Sequence, residues 1–178
     1  MYPLYSNEYF DCEATPLRPY WPDFAKPTDH GNQRDILEVP VTVSFNHGSF
    51  PWARSLYNTV SNPPLERLRL VGALWQTRLL RKLYLSPEVM TAEDMFPLVD
   101  LAINQHQPVL HMFLHSSSLI DNSGGMLNRV NALETVTKNI ASLIEHAQKS
   151  ADLRFCTISE AAVLLQYRPP TGKTGLQF

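Results

Sequence analysis

PVLHMFLHS (108–116) is an apolar run of strand length that closes on His115 and Ser116. Continuous apolar character over so few residues predicts a buried strand over 108–114. Working outward, DILEVPVTVSF (35–45) is dense in Ile, Leu and Val and carries the β-branched Thr42, so a second strand is expected near 36–43, kinked or ended at Pro40. KLYLSPE (82–88) predicts a short strand near 83–86 running into a turn, and Arg154–Ile158 predicts a fourth. Helical patterns fill the intervals. Asn62 and Pro63 suit a helix start, and Leu65, Leu68, Gly72, Trp75, Leu79 and Leu83 recur at three- and four-residue steps. Thr91 to Asp94 is a capping-box-like start for a helix to about Gln105, with Pro97 expected to bend it. Leu133, Val136, Ile140, Leu143, Ile144 and Ala147 mark a long amphipathic helix, and Thr157 with Glu160 caps a last one through Leu165. Strands alternating with helices predict parallel pairing and an α/β fold.

Charge and composition narrow the function classes. Hydrophobic residues are 44% and charged residues 18% of the 178, a balance that supports a packed core rather than disorder. A formal charge of −2 gives no broad cationic surface, so nucleic acid is not an expected partner. No run of the ~20 apolar residues that a membrane span requires is present. The first residues lack the cationic-then-apolar order of a signal peptide, which places the protein in the cytoplasm if Met1 is the native start. Cys12 and Cys156 lie far apart and read as small buried hydrophobes. Residues 1–34 interleave aromatics with prolines and read as a packed loop segment, 35–166 as the folded domain, and 167–178 as a flexible tail.

Functional groups of parallel α/β folds gather at the C-terminal ends of strands, and His115 sits at such an end. An imidazole there is placed for proton transfer near neutral pH. His111 and His115 form an H-x-x-x-H pair, but on a strand they fall on one face about 13 Å apart, at ~3.3 Å per residue, too far to share an ion. His111 then reads as a hydrogen-bonded interior residue. Ser116–Ser118 lacks the glycines of a nucleophile elbow and reads as a turn.

Four segments in order resemble the NodB-homology polysaccharide deacetylases (carbohydrate esterase family 4). They are YFDCEATP (9–16), DILEVPVTV (35–43), the run YLSPEVMTAEDMFPLVDLAINQHQPVLHMFLHSSSL (84–119), and DLRFCTISEAAVLL (152–165). Together they span most of residues 9–165. The resemblance implies an incomplete (β/α) barrel of parallel strands and metal-dependent removal of acetyl groups from a carbohydrate polymer or oligosaccharide. It implies His115 as the general acid, Leu114 beside it in the acetyl pocket, and Asp11 as the carboxylate that orients the histidine. Tyr20 and Trp21, with Trp52, would stack on sugar rings. The family holds zinc or another divalent metal through a T-F-D-D strand and an H-[ST]-x-x-H segment. Neither motif occurs here, so no metal ligand is assigned and the chain corresponds to the C-terminal part alone. Half a barrel would expose sheet edges, so association with a missing N-terminal half, or with a second copy, is expected. A non-catalytic remnant that binds carbohydrate or a partner chain is the alternative.

Overall fold

A computed structural model describes residues 16–31, 36–47, 51–61, 70–123 and 130–166. The chain divides into two compact units, one from Val41–Cys156 and one from the two ends, Met1–Pro40 with Thr157–Phe178.

The larger unit holds β1 (Val43–Phe45), α1 (Pro51–Ser61), α2 (Leu70–Gln76), β2 (Lys82–Tyr84), α3 (Ala92–Asn104), a 3-10 turn (Ser116–Leu119) and α4 (Ala132–Gln148). α3 starts as its sequence dictates: the Thr91 hydroxyl accepts the Asp94 N–H, and Glu93 and Asp94 place negative charge on the positive helix end. Asp94 does not reach back to complete a capping box, because its carboxylate accepts from Arg81 at 2.5 Å, and that guanidinium also lies over the Trp75 ring. The helix runs through Pro97, in its second turn, to Asn104. α4 begins at Asn131, in the left-handed region at φ 60°, and its first free N–H groups, those of Asn131 and Ala132, are taken by the two oxygens of Asp121. α3 packs against both α4 and β2, and Leu83, Leu85, Met90, Met95, Leu98, Val99, Leu143 and Ala147 bury themselves in one cluster. Burial of these side chains is the main term holding the unit together.

The parallel (β/α) barrel expected from the alternation of elements is not formed. β1 and β2 pair antiparallel, with Val43 opposite Tyr84 and Phe45 opposite Lys82, and among the described residues they make a two-stranded open sheet. The 108–114 run does lie beside them: Thr42 donates its N–H to His111 O, and Phe113 donates to Leu85 O. A continuous ladder is prevented because side chains take the alternate main-chain donors. The His111 N–H goes to the Thr42 hydroxyl at 2.8 Å, and the His115 N–H goes to the Glu88 carboxylate at 2.9 Å. The strand expected over 36–43 is displaced to 43–45, and that expected over 83–86 to 82–84. Residues 154–158 form no strand. Phe155 is 70% exposed, and Thr157 is drawn into a helix cap. Of the helix expected over 62–83, residues 62–69 lie outside the described residues, and the remainder ends at Gln76 before Arg78 turns to φ 57°.

In the smaller unit Tyr20 and Glu38 exchange both main-chain bonds in an isolated antiparallel bridge. α5 (Ile158–Gln166) opens on a complete capping box, in which Thr157 Oγ1 accepts the Glu160 N–H and Glu160 accepts the Thr157 N–H. Cys156, expected to be buried, is exposed and free; Cys12 lies outside the described residues.

Candidate functional site

His115, extended at φ −94° and ψ 139°, immediately precedes the 3-10 turn. Its partner is Glu88, in the tight Ser86–Met90 turn between β2 and α3, where Ser86 O accepts the N–H groups of Val89 and Met90. Two contacts join them. The His115 main-chain N–H donates to Glu88 Oε2 at 2.9 Å, and ring Nδ1 lies 2.6 Å from Oε1. One carboxylate therefore fixes both the backbone and the ring of the same residue, which sets the imidazole's position as well as its orientation.

The two groups differ in exposure. The Glu88 side chain is 1% exposed, whereas that of His115 is 57% exposed. Burial alone would push the Glu88 carboxyl upward. The nearby Ser118 hydroxyl, the His115 N–H and ring bonds, and attraction to the ring charge outweigh it and hold Glu88 below the ordinary carboxylate value. Ser118 Oγ is itself buried, and its geometry falls short of a well-formed hydrogen bond. An ionised carboxylate only accepts, so Nδ1 carries the ring proton and neutral His115 presents the Nε2 lone pair. No described residue bonds to Nε2. The dyad can thus take up a proton at Nε2 and release it to a bound molecule, with the buried anion stabilising the imidazolium between the two steps.

α4 supports this arrangement from behind. It packs on the 3-10 turn after His115, and Asn139 Nδ2 donates to both Pro87 O (3.1 Å) and Met90 O (3.2 Å), clamping the turn that carries Glu88.

The sequence-expected site residues are distributed differently. Leu114 is half-buried next to His115 in the chain, as adjacency requires. Asp11, the carboxylate expected to orient the ring, lies outside the described residues; the bonded carboxylate is Glu88. Tyr20 is 3% exposed, its hydroxyl donated to Pro27 O at 2.8 Å and its ring edge-on to His30, so its faces are taken up by packing. Trp21 is half-buried, its carbonyl accepting from Gly31, while Trp52 is 53% exposed beside His47. His111 is half-buried. Glu88 is the residue that sequence reading missed. Glu88 lies four residues beyond β2, in Leu85-Ser86-Pro87-Glu88, and no local pattern there marks it as a buried carboxylate rather than a solvated turn residue.

Among the described residues no three His, Cys, Asp or Glu side chains converge as an ion would require. Among the described residues no helix is long and apolar enough to cross a membrane. No family model, curated protein or solved structure matches the chain.

Proposed function

We propose that the chain is the C-terminal portion of a polysaccharide deacetylase-like hydrolase and supplies its proton-transfer group. The observation that carries this reading is the exposed His115 ring held at Nδ1 by a buried carboxylate, at the end of the very segment that resembles the family's last motif. In the proposed reaction protonated Nε2 gives its proton to the departing sugar amine, and Glu88 stabilises the imidazolium beforehand. Glu88 takes the orienting role first assigned to Asp11. The divalent metal of that family would be held by a segment outside the described residues.

The test begins with the coding DNA upstream of Met1, which is expected to contain in-frame T-F-D-D and H-[ST]-x-x-H segments. The full reading frame is then expected to release acetate from acetylated chito-oligosaccharides, and His115→Gln to abolish release without altering the circular dichroism. Absence of both motifs, or turnover indifferent to His115, overturns the reading. Saturable oligosaccharide binding without turnover would instead identify a non-catalytic carbohydrate-binding chain.

A further inference from the structure

We propose that His115 is also a metal-independent acyl-transfer nucleophile toward activated aryl esters. This inference stands on the dyad geometry alone and needs neither a carbohydrate substrate nor a metal. An imidazole attacks carbonyl carbon through an unprotonated ring nitrogen, so the reactive tautomer must leave that nitrogen accessible. Glu88 fixes the proton on Nδ1, the ring nitrogen crowded by Cβ, and leaves the lone pair on Nε2, the nitrogen remote from the chain. The 57% exposure of the side chain lets an ester approach.

The step balances as ordinary hydrolysis. The Nε2 lone pair forms a bond to the acyl carbon, the carbonyl π pair moves to oxygen, and its return expels the aryloxide. The resulting acyl-imidazolium keeps Nδ1–H on the Glu88 carboxylate, which offsets its charge. Water then adds to the acyl carbon, the C–Nε2 bond breaks, and neutral His115, a carboxylate and two protons are released, one of them balancing the aryloxide that left in the first step. Aryl esters are the substrate class because their leaving group departs more readily than imidazole does. Amides and alkyl esters return to reactants, which keeps this activity separate from deacetylation.

His47, His146 and His106 lack this arrangement. His47 has Nε2 tied to Leu79 O at 3.0 Å, and His146 has Nε2 on Asp100 at 2.7 Å with its ring stacked on Phe96. His106 is exposed, and among the described residues no carboxylate bonds to its ring, so it serves as the comparator.

The experiment follows p-nitrophenyl acetate hydrolysis by the purified chain in EDTA, buffered in the mildly alkaline range about pH 8. Glu88→Gln is expected to slow the reaction about tenfold, the difference between a charge-assisted and a neutral hydrogen bond to the developing imidazolium. A glutamine has one acceptor oxygen for two donors, so 15N NMR should also show the His115 Nε2–H tautomer gaining population. His115→Gln should cost at least about as much as loss of its partner. His106→Gln should leave the rate unchanged, and mass spectrometry should find the transient acetyl group on the peptide containing residue 115. Should Glu88→Gln fail to fold, the exposed His115→Gln variant and the acetyl-peptide map still decide the matter. The proposal is overturned by a rate unaffected in His115→Gln, by acetylation elsewhere, by a Glu88→Gln variant with unchanged rate and tautomer, or by loss of activity in EDTA.

Discussion

Replacing Glu88 by Ala removes an acceptor that the fold has surrounded with donors. The His115 N–H loses a charge-assisted bond, a loss of about 1.5–3 kcal/mol when the donor is left unsatisfied. The ring bond adds only about 0–1 kcal/mol, because water can reach the half-exposed imidazole and replace the carboxylate. The expected destabilisation is about 1.5–4 kcal/mol for Glu88→Ala and about 1–2 kcal/mol for Glu88→Gln, which keeps one acceptor. Urea unfolding followed by circular dichroism at pH 7 measures both. The pH dependence has a fixed sign. Glu88 is held below its unfolded value of 4.5, so its contribution is fully present above that value and is lost as pH falls through the lower folded one. The gap between wild type and Glu88→Gln should therefore narrow at acid pH. A Glu88→Ala variant within about 0.5 kcal/mol of wild type at pH 7, the range of an ordinary surface change, would refute the argument, as would a gap that widens on acidification.

Met95, fully buried in the α3–α4–β2 cluster, should cost about 2–5 kcal/mol when cut to Ala, read as a lower urea midpoint with an unchanged slope. Thr42→Val keeps the shape but strips the hydroxyl that takes the His111 N–H, and should cost about 1–3 kcal/mol, with faster hydrogen exchange at His111. Asp121→Ala frees two N–H groups at the start of α4 and should cost about 1 kcal/mol, with loss of helical signal confined to that end. Zinc titrated into the 178-residue chain should show no stoichiometric tight binding by calorimetry; binding that brings turnover dependent on His115 would mean that the chain assembles a metal site of its own.

Helix starts were legible because cap chemistry is local: Thr91 with Asp94, and Thr157 with Glu160, lie three residues apart and act within one turn. The buried faces of α3 and α4 followed from periodicity for the same reason, although Leu133, at the right spacing, is 60% exposed where the helix leaves the core. Strand direction was not legible. It depends on which distant segment supplies the partner, and here Thr42 and Glu88 intercept donors 69 and 27 residues away in sequence. A parallel ladder inferred from alternation takes no account of such side chains. The position of His115 was readable from the run it ends, but its carboxylate was not, because nothing adjacent distinguishes a buried turn glutamate from a solvated one. Tyr20 shows the converse: an aromatic among prolines resembles a sugar platform until its hydroxyl is found bonded to Pro27.

The Asn139 clamp has a consequence for the order in which the molecule matures. Its bonds to Pro87 O and Met90 O span 52 and 49 residues of chain, while the dyad itself spans only 27. Closing the longer loop costs more chain entropy, about 0.6 kcal/mol for each doubling of length, so the clamp is the costlier contact to close. Both dyad residues exist on the nascent chain well before the helix that registers them has been synthesised. The pairing of His115 with Glu88 becomes a reporter of α4 docking, and in a refolding time course the His115 ring signals should settle after the bulk of the helical signal.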